Sequence, residues 1–224
     1  MQALLFDLDG TLIDSMPQHQ QAWTAWYARR GQTLAPGDFF ASTAGRSNAE
    51  ILLDLYPELT LQDHVAMADE KEALYRDIAA RSLALVDGAQ AFVARARAAG
   101  LRLALCTAST LPNMALAFER FGIDTWVDTV VSPADGLRGK PHPDIFLEAA
   151  RRLGVEPAHC VVFEDAPLGI EGARRAGMKA AALTTTLPAE SFGGFDNLIA
   201  IAADFTTLHL PGLSAAHQKA PHHA

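Results

Sequence analysis

The strongest constraint on the fold is the pattern after residue 85, where short apolar runs alternate with helical segments that end at glycine. The predicted strands cover 101–106, 127–131, 160–163 and 180–184. The predicted helices cover 89–99, 112–121, 143–153 and 168–176, and each is followed by a glycine. Alternating strands and helices predict an α/β fold with a parallel sheet that helices cover on both faces.

The first predicted strand, 3–6, is separated from the others by a segment that is helical in pattern throughout. Within it, Ser47 and Glu50 have the spacing of a capping box ahead of an apolar run. The simplest architecture is therefore a doubly wound parallel sheet interrupted by a helical domain. The predicted regions are a core over 1–15 and 86–210, an inserted helical domain over 16–85, and a flexible tail over 211–224.

The acidic composition limits the partners. The chain has 224 residues, with 18 Lys and Arg against 26 Asp and Glu, and a formal net charge of −8. Affinity for nucleic acid comes largely from basic side chains that neutralise phosphates, so neither nucleic acid nor an anionic membrane surface is an expected partner. No apolar run approaches the roughly 20 residues that span a bilayer.

Two further features favour a cytoplasmic protein. Cys106 and Cys160 both lie in apolar runs, which predicts buried thiols rather than a disulfide. The first residues lack the basic region of a signal peptide. Both features fit the reducing environment of the cytosol.

Polar side chains follow the predicted strands at the points where those strands end. They are Asp7, Asp9, Thr107, Ser109, Lys140, Glu164 and Asp165, with Ala108 between the two hydroxyl residues. Taken singly, each has an ordinary explanation as a turn residue, a helix cap or a solvated charge. Because the carboxyl ends of parallel strands meet at one edge of a sheet, we expect these side chains to lie together. Clustered carboxylates repel one another unless a cation lies among them, and hard oxygen ligands suit Mg²⁺.

These residues resemble the four motifs of the haloacid dehalogenase superfamily of phosphotransferases. The matches are Asp-Leu-Asp-Gly-Thr-Leu at 7–12, Thr107, Lys140 and Glu164-Asp165, in the same order and strand context. The resemblance extends to about residue 208 and is strongest for the branch of β-phosphoglucomutase and phosphoglycolate phosphatase. It implies a Rossmann-like core with an inserted helical cap. We expect a monomer, since a monomer suits a cap that must open.

The resemblance also implies the chemistry of the acidic residues. Asp7 would be the nucleophile that forms an aspartyl phosphate, and Asp9 would act first as general acid and then as general base. Mg²⁺ would be held by Asp7, the backbone carbonyl of Asp9 and Asp165. Glu164 would either bind the ion directly or orient another ligand, and the sequence leaves both possibilities open.

Residues of two other motifs would bind the phosphoryl group. Thr107 would donate a hydrogen bond to a phosphoryl oxygen, with the adjacent Ala108 and Ser109 contributing to the same loop. Lys140 would supply a fixed positive charge that lets a carboxylate and a phosphate dianion approach each other.

Four residues of the inserted domain are candidates for substrate contacts. Arg46 could grip an anion in two places, which a lysine does less well. Asn48 and Lys71 belong to the same predicted helical domain, and His19 has the spacing of a histidine close to the site in β-phosphoglucomutase. For each of them, a structural or solvated role is an alternative.

The leading hypothesis is a Mg²⁺-dependent phosphatase acting on a small phosphorylated metabolite of the sugar phosphate or phosphoglycolate class. The alternative is a hexose phosphate mutase that uses the same aspartyl phosphate. The positions that agree with the mutase include His19, Lys71, Thr107-Ala108-Ser109 and Lys140. Asn48, however, stands where the mutase has an arginine that grips the second phosphate. A dehalogenase should lack the acid present as Asp9, and a phosphonatase should have an earlier cap lysine.

Overall fold

The structure, a computed structural model, describes residues 1–35, 39, 42–43 and 46–219. The chain forms two compact units. The first, which we call the core unit, consists of Met1–Asp14 and Leu85–Ala224, and the second, the cap unit, is Ser15–Ala84. The predicted boundaries, after residues 15 and 85, lie within one residue of these.

The strands are β1 (Ala3–Phe6), β2 (Ile13–Asp14), β3 (Ala84–Leu85), β4 (Arg102–Cys106), β5 (Thr129–Val131), β6 (Cys160–Glu164), β7 (Lys179–Leu183) and β8 (Leu198–Ala202). Six of them form one sheet in the order β5-β4-β1-β6-β7-β8, and all neighbours pair in parallel. β1 lies in the interior of the sheet, with Phe6 opposite both Leu105 and Phe163. The predicted doubly wound parallel sheet is confirmed.

The helices are α1 (Met16–Ala28), α2 (Asn48–Leu55), α3 (Leu61–Ser82), α4 (Ala89–Ala98), α5 (Leu111–Phe121), α6 (Asp144–Leu153), α7 (Pro167–Arg175) and α8 (Leu210–Lys219). The glycine stops act as the sequence indicates. Gly122 and Gly154 follow α5 and α6 with φ of 69° and 66°, left-handed values that cost glycine least.

The two faces of the sheet are packed by alternate residues of the same strands. Phe6 stacks on Phe163 with ring centroids 4.9 Å apart, and Phe92 of α4 meets both rings on that face. Leu5 belongs to a second buried cluster, which includes Phe146 of α6. Side chains of successive strand residues point to opposite faces, so β1 must be apolar throughout.

The cap unit is helical and holds its own aromatic core. Trp23 and Trp26 of α1 are buried, and their rings meet edge to face at 5.5 Å. Ser47 and Glu50 form the predicted capping box at the start of α2. Among the described residues, no helix in either unit is long and apolar enough to cross a membrane.

One expectation from the sequence is wrong, and one strand of the large sheet was missed. Residues 210–219 form α8 where a flexible tail was expected from 211, because Leu213 and His217 are buried and tie the segment down. Residues 220–224 lie outside the described part of the chain. The missed strand is β8, which extends the sheet at an edge, where its half-exposed residues make a weak apolar signal.

Candidate active site

A buried lysine joins two carboxylates at the carboxyl edge of the sheet. The Nζ atom of Lys140 lies 2.5 Å from Oδ1 of Asp7, which follows β1, and 2.5 Å from Oε1 of Glu164, the last residue of β6. Nζ also donates a hydrogen bond of 3.1 Å to the backbone carbonyl of Cys106, the last residue of β4. The ammonium group therefore connects the ends of three neighbouring strands, and the three motifs converge as the sequence predicts.

Asp165 is held by hydroxyl groups from two other loops. Thr11 Oγ1 donates to its Oδ1 at 3.4 Å, and Thr186 Oγ1 donates to its Oδ2. Gly10 has φ of 74°, and a Cβ atom there would lie 2.2 Å from Oδ2 of Asp165. Only glycine fits this close approach, so the Asp-Gly pair does more here than form a turn.

The three acidic residues crowd one small volume. Asp7, Glu164 and Asp165 each offer a carboxylate oxygen, and these atoms all lie within 4.8 Å of one another. Burial, reinforced by the neighbouring carboxylates, raises the pKa of Asp7, although Lys140 opposes this. Burial, followed by the charge of Glu164, raises the pKa of Asp165 to about 7. One ammonium group thus leaves the cluster short of positive charge.

The residues of the cluster fit a divalent cation. All three offer the hard carboxylate oxygens that Mg²⁺ prefers, and they are buried and close enough to surround one ion. A doubly charged ion among them would favour the ionised carboxylates that burial disfavours. The donor set and its charge deficit therefore agree with a magnesium site.

Lys140 is held as a permanent cation. Burial acts against its charge, but the carboxylates of Asp7 and Glu164 outweigh burial and raise the pKa of Lys140 above its usual value. Its loop is tied to α6 because Arg138 donates two hydrogen bonds of 2.9 Å to Asp144. The peptide bond between Lys140 and Pro141 is cis.

Thr107 begins the loop after β4. Its backbone N–H donates to the carbonyl of Val131 at 3.0 Å, and its Oγ1 accepts a hydrogen bond of 2.9 Å from the N–H of Ser109. Thr107 and Ser109 are buried, whereas Ala108 between them is exposed. Since the Thr107 oxygen accepts from Ser109, its hydroxyl hydrogen is oriented away from that N–H.

Asp9 lies in the tight turn between β1 and β2 and is half-buried. The carbonyl of Leu8 accepts from the N–H groups of Thr11, Leu12 and Ile13, which closes the turn. Asp9 therefore lies within a closed turn that comes directly after β1 and Asp7.

Three of the four candidates in the cap unit belong to one polar cluster. Lys71 Nζ lies 2.7 Å from Nδ1 of His19 and 3.0 Å from Oε1 of Glu72, and Asn48 Nδ2 donates to the same oxygen of Glu72. The fourth candidate, Arg46, instead forms an ion pair with Asp54 at 2.6 Å.

Several residues that support these groups were missed in the sequence. Thr186 belongs to the threonine run that follows β7, so the rule applied to the other strand ends would have found it. Glu72 carries no sequence signal, because an acidic residue on a helix is ordinarily solvated. Gly169 has a role only the structure reveals: a Cβ atom there would lie 2.0 Å from Cδ of Glu164.

Comparison with known proteins agrees with this geometry. Residues 1–177 match the family model "haloacid dehalogenase-like hydrolase". The chain is 32% identical over 222 residues to validoxylamine A 7'-phosphate phosphatase of Streptomyces hygroscopicus subsp. limoneus, covering 92% of this chain and 95% of that protein. It is 34% identical over 185 residues to fructose-1-phosphate phosphatase YqaB of Escherichia coli (strain K12), covering 79% and 93%.

The fold is shared with solved structures. The crystal structure of CbbY from Rhodobacter sphaeroides in complex with xylulose-(1,5)bisphosphate superposes with a TM-score of 0.81, at 26% identity, covering 95% of this chain and 99% of that one. The predictions of the superfamily and of an enzyme are confirmed by the match to the family model. The chain belongs to the haloacid dehalogenase-like hydrolase family.

Proposed function

We propose that the protein is a Mg²⁺-dependent phosphatase that hydrolyses a small phosphorylated metabolite of the sugar phosphate class through an aspartyl phosphate. The observation that carries this proposal is the buried contact between Asp7 and Lys140 inside a cluster with Glu164 and Asp165. A carboxylate that is buried, paired with a cation and placed at a strand end is suited to act as a nucleophile.

Asp7 attacks phosphorus, and the bond to the leaving oxygen breaks as the aspartyl phosphate forms. Lys140 offsets the repulsion between the Asp7 carboxylate and the phosphate dianion, since it is already held against Oδ1. Thr107 donates its hydroxyl hydrogen to a phosphoryl oxygen. Asp9 protonates the leaving oxygen and then removes a proton from the water that hydrolyses the intermediate.

Asp7, Asp165 and the backbone carbonyl of Asp9 would hold Mg²⁺, with Glu164 binding it directly or positioning Lys140. The bound ion would neutralise charge on the transferring phosphoryl group. Thr11 and Thr186 fix the orientation of the Asp165 carboxylate through their hydroxyl groups.

The relatives support the substrate class. The two relatives described above are named as phosphatases, one of fructose 1-phosphate and the other of validoxylamine A 7'-phosphate. The mutase alternative has weaker support, because the amide of Asn48, at the position where the mutase has a phosphate-gripping arginine, donates to a carboxylate instead.

We also propose a cytoplasmic monomer.

The test is phosphate release from p-nitrophenyl phosphate, followed by a panel of sugar and sugar alcohol phosphates. We expect release that needs Mg²⁺ and is lost with EDTA or in Asp7→Asn. Unchanged turnover in Asp7→Asn would overturn the assignment. Faster conversion of β-glucose 1-phosphate to the 6-phosphate than its hydrolysis would favour the mutase.

A further inference from the structure

The loop after β7 reaches the site from a strand that the four motifs do not include. It carries three successive threonines, at 184–186, and two of them use their hydroxyl groups there. Thr185 Oγ1 donates a hydrogen bond of 2.5 Å to the backbone carbonyl of Gly10, and Thr186 Oγ1 donates to Oδ2 of Asp165. All of these residues belong to the core unit. The loop therefore contacts both the turn that follows Asp7 and one of the proposed metal ligands.

The loop is anchored on both sides of Thr186. Before it, the N–H of Thr184 donates to the carbonyl of Ala202 in β8 at 2.9 Å. After it, Phe192 belongs to the buried cluster on one face of the sheet, and Leu187 packs against that cluster. The packing of the protein itself thus fixes the position of the Thr186 hydroxyl group.

The two carboxylate oxygens of Asp165 differ in their surroundings. Oδ2 accepts from Thr186 and lies against Gly10, where a Cβ atom would be 2.2 Å from it. Oδ1 accepts from Thr11 at 3.4 Å, which is long for a hydrogen bond from a hydroxyl group and therefore weak. Oδ1 gives up less than Oδ2 when it turns to a cation, so Asp165 is arranged to offer one oxygen rather than two.

The number of oxygens that a carboxylate offers matters to the choice of metal. Mg²⁺ requires a nearly ideal octahedron of ligands, and the two oxygens of one carboxylate lie too close together for two of its corners. Ca²⁺ is larger, takes roughly six to eight oxygens in a flexible arrangement and accepts both oxygens of a carboxylate. A carboxylate restricted to one oxygen therefore withholds from Ca²⁺ a ligand that Mg²⁺ does not use.

We propose that Thr186 is a specificity-determining residue of the metal site. Its hydroxyl group engages Oδ2, so that Asp165 binds the ion through Oδ1 alone, and the site favours Mg²⁺ over Ca²⁺. This inference rests on the proposed Mg²⁺-dependent function and deepens it, because it names a residue outside the four motifs that selects the ion. Thr185 supports Thr186 by tying the same loop to the carbonyl of Gly10.

The experiment measures binding of the two ions in the absence of substrate. Metal-free wild type, Thr186→Val and Thr186→Ser are each titrated with Mg²⁺ and with Ca²⁺ by calorimetry. Valine has the shape of threonine but no hydroxyl group, whereas serine keeps the hydroxyl group. Thr186→Ala is a second variant without the hydroxyl group, and the Tm of each metal-free variant shows that it is folded.

Wild type should bind Mg²⁺ more tightly than Ca²⁺. Thr186→Val and Thr186→Ala should shift the ratio of the two Kd values about tenfold toward Ca²⁺. The hydrogen-bonding partner of a metal ligand typically contributes roughly 10–100-fold to affinity, and only Ca²⁺ gains the released oxygen. Thr186→Ser should keep the wild-type ratio. The control, Thr125→Val, removes a hydroxyl group that donates to the carbonyl of Gly122 at an exposed site, and it should leave the ratio unchanged.

Three outcomes overturn the proposal. The first is tighter binding of Ca²⁺ than of Mg²⁺ by wild type. The second is a ratio that Thr186→Val and Thr186→Ala leave unchanged, as when both ions lose affinity by the same factor, which a merely structural role would produce. The third is a shift in Thr186→Ser as large as that in Thr186→Val.

Failure of the phosphatase function has a different signature. Wild-type protein with Mg²⁺ would then release no phosphate from p-nitrophenyl phosphate, while the ratio of the two Kd values still depended on Thr186.

Discussion

The Nζ atom of Lys140 lies 2.5 Å from Oδ1 of Asp7, across an interval of the chain that contains the entire cap unit. Both side chains are more than nine-tenths buried. In the proposed mechanism this contact supplies both the nucleophile and the positive charge that lets it approach a phosphate, and most of our predictions test its surroundings.

Replacing Asp7 tests the proposed chemistry directly. Asp7→Asn should lower turnover of p-nitrophenyl phosphate at least about 10³-fold, because an amide cannot form the acyl phosphate. Far-ultraviolet circular dichroism should show an unchanged fold. The control, Asp124→Asn, removes an exposed carboxylate and should keep wild-type turnover; equal loss in both variants would contradict the role of Asp7.

Removing the cation of the pair should destabilise the protein as well as inactivate it. Lys140→Met leaves Asp7 and Glu164 buried without their shared partner, a change that costs about 3–5 kcal/mol. Urea unfolding of the metal-free protein measures the loss. Arg138→Met removes an exposed cation from the same loop and should cost much less. A stability equal to wild type in Lys140→Met would show that the pair is not buried as described.

Divalent cations should stabilise the fold independently of activity. At 100 times its Kd, a ligand adds ~2.7 kcal/mol to the free energy of unfolding, or about 5–10 °C in Tm for a chain of this size. Thermal unfolding with Mg²⁺ and with EDTA should show this shift in wild type and in Asp196→Asn, an exposed control. Asp165→Asn should lose it, and an undiminished shift there would place the ion elsewhere.

Replacing Gly169 by alanine should destabilise the protein, although the same replacement in a helix is usually stabilising. Alanine normally stabilises a helix interior by about 1 kcal/mol relative to glycine. Here the new Cβ would lie 2.0 Å from Cδ of Glu164, so Gly169→Ala should cost about 1–3 kcal/mol and reduce turnover. Gly212→Ala in α8, where nothing lies within 4 Å of the new Cβ, should not destabilise. Chemical denaturation of both variants gives the comparison.

Both thiols should resist modification in the native state. Burial raises the pKa of Cys160 to about 12 and raises that of Cys106 further above the usual thiol value. At pH 8 neither forms an appreciable amount of the reactive thiolate, unlike an exposed cysteine with a pKa near 8.5. Ellman's reagent should therefore titrate neither thiol until the protein is unfolded, and then both. Rapid labelling of the native protein would contradict this.

The core fold was predictable because its signals are local. The apolar run Ala3–Phe6 is 0% exposed as a buried strand requires, and the helix stops at Gly122 and Gly154 rest on backbone angles that glycine adopts readily. β8 was not predictable in this way, since an edge strand is half-exposed and its apolar signal is diluted. The ordered α8 depends on burial of Leu213 and His217, which is tertiary information.

The strand-end residues of the site were predictable from the sequence, whereas the contacts that support them were not. Asp7, Lys140, Glu164 and Asp165 lie at strand ends or in the segments after them, so the topology alone brings them together. The hydroxyl groups of Thr11 and Thr186 and the close fit at Gly169 depend on distances between side chains. The pairing of Lys71 with Glu72 and of Arg46 with Asp54 is equally invisible in the sequence, where each residue has several possible partners.

The position of β1 in the sheet also determines when the site can exist during synthesis. Ala3 pairs with Arg102 on one side and with Cys160 on the other. β1, which precedes the proposed nucleophile Asp7, therefore leaves the ribosome before the other strands of its sheet, but it acquires its second neighbour only after the cap unit, β4 and β5 have been made. Until then its apolar residues have no finished sheet to enter, and long-range pairing of this kind is slow. The cap unit is one continuous segment of the chain, so its helices can form before β6 has been made.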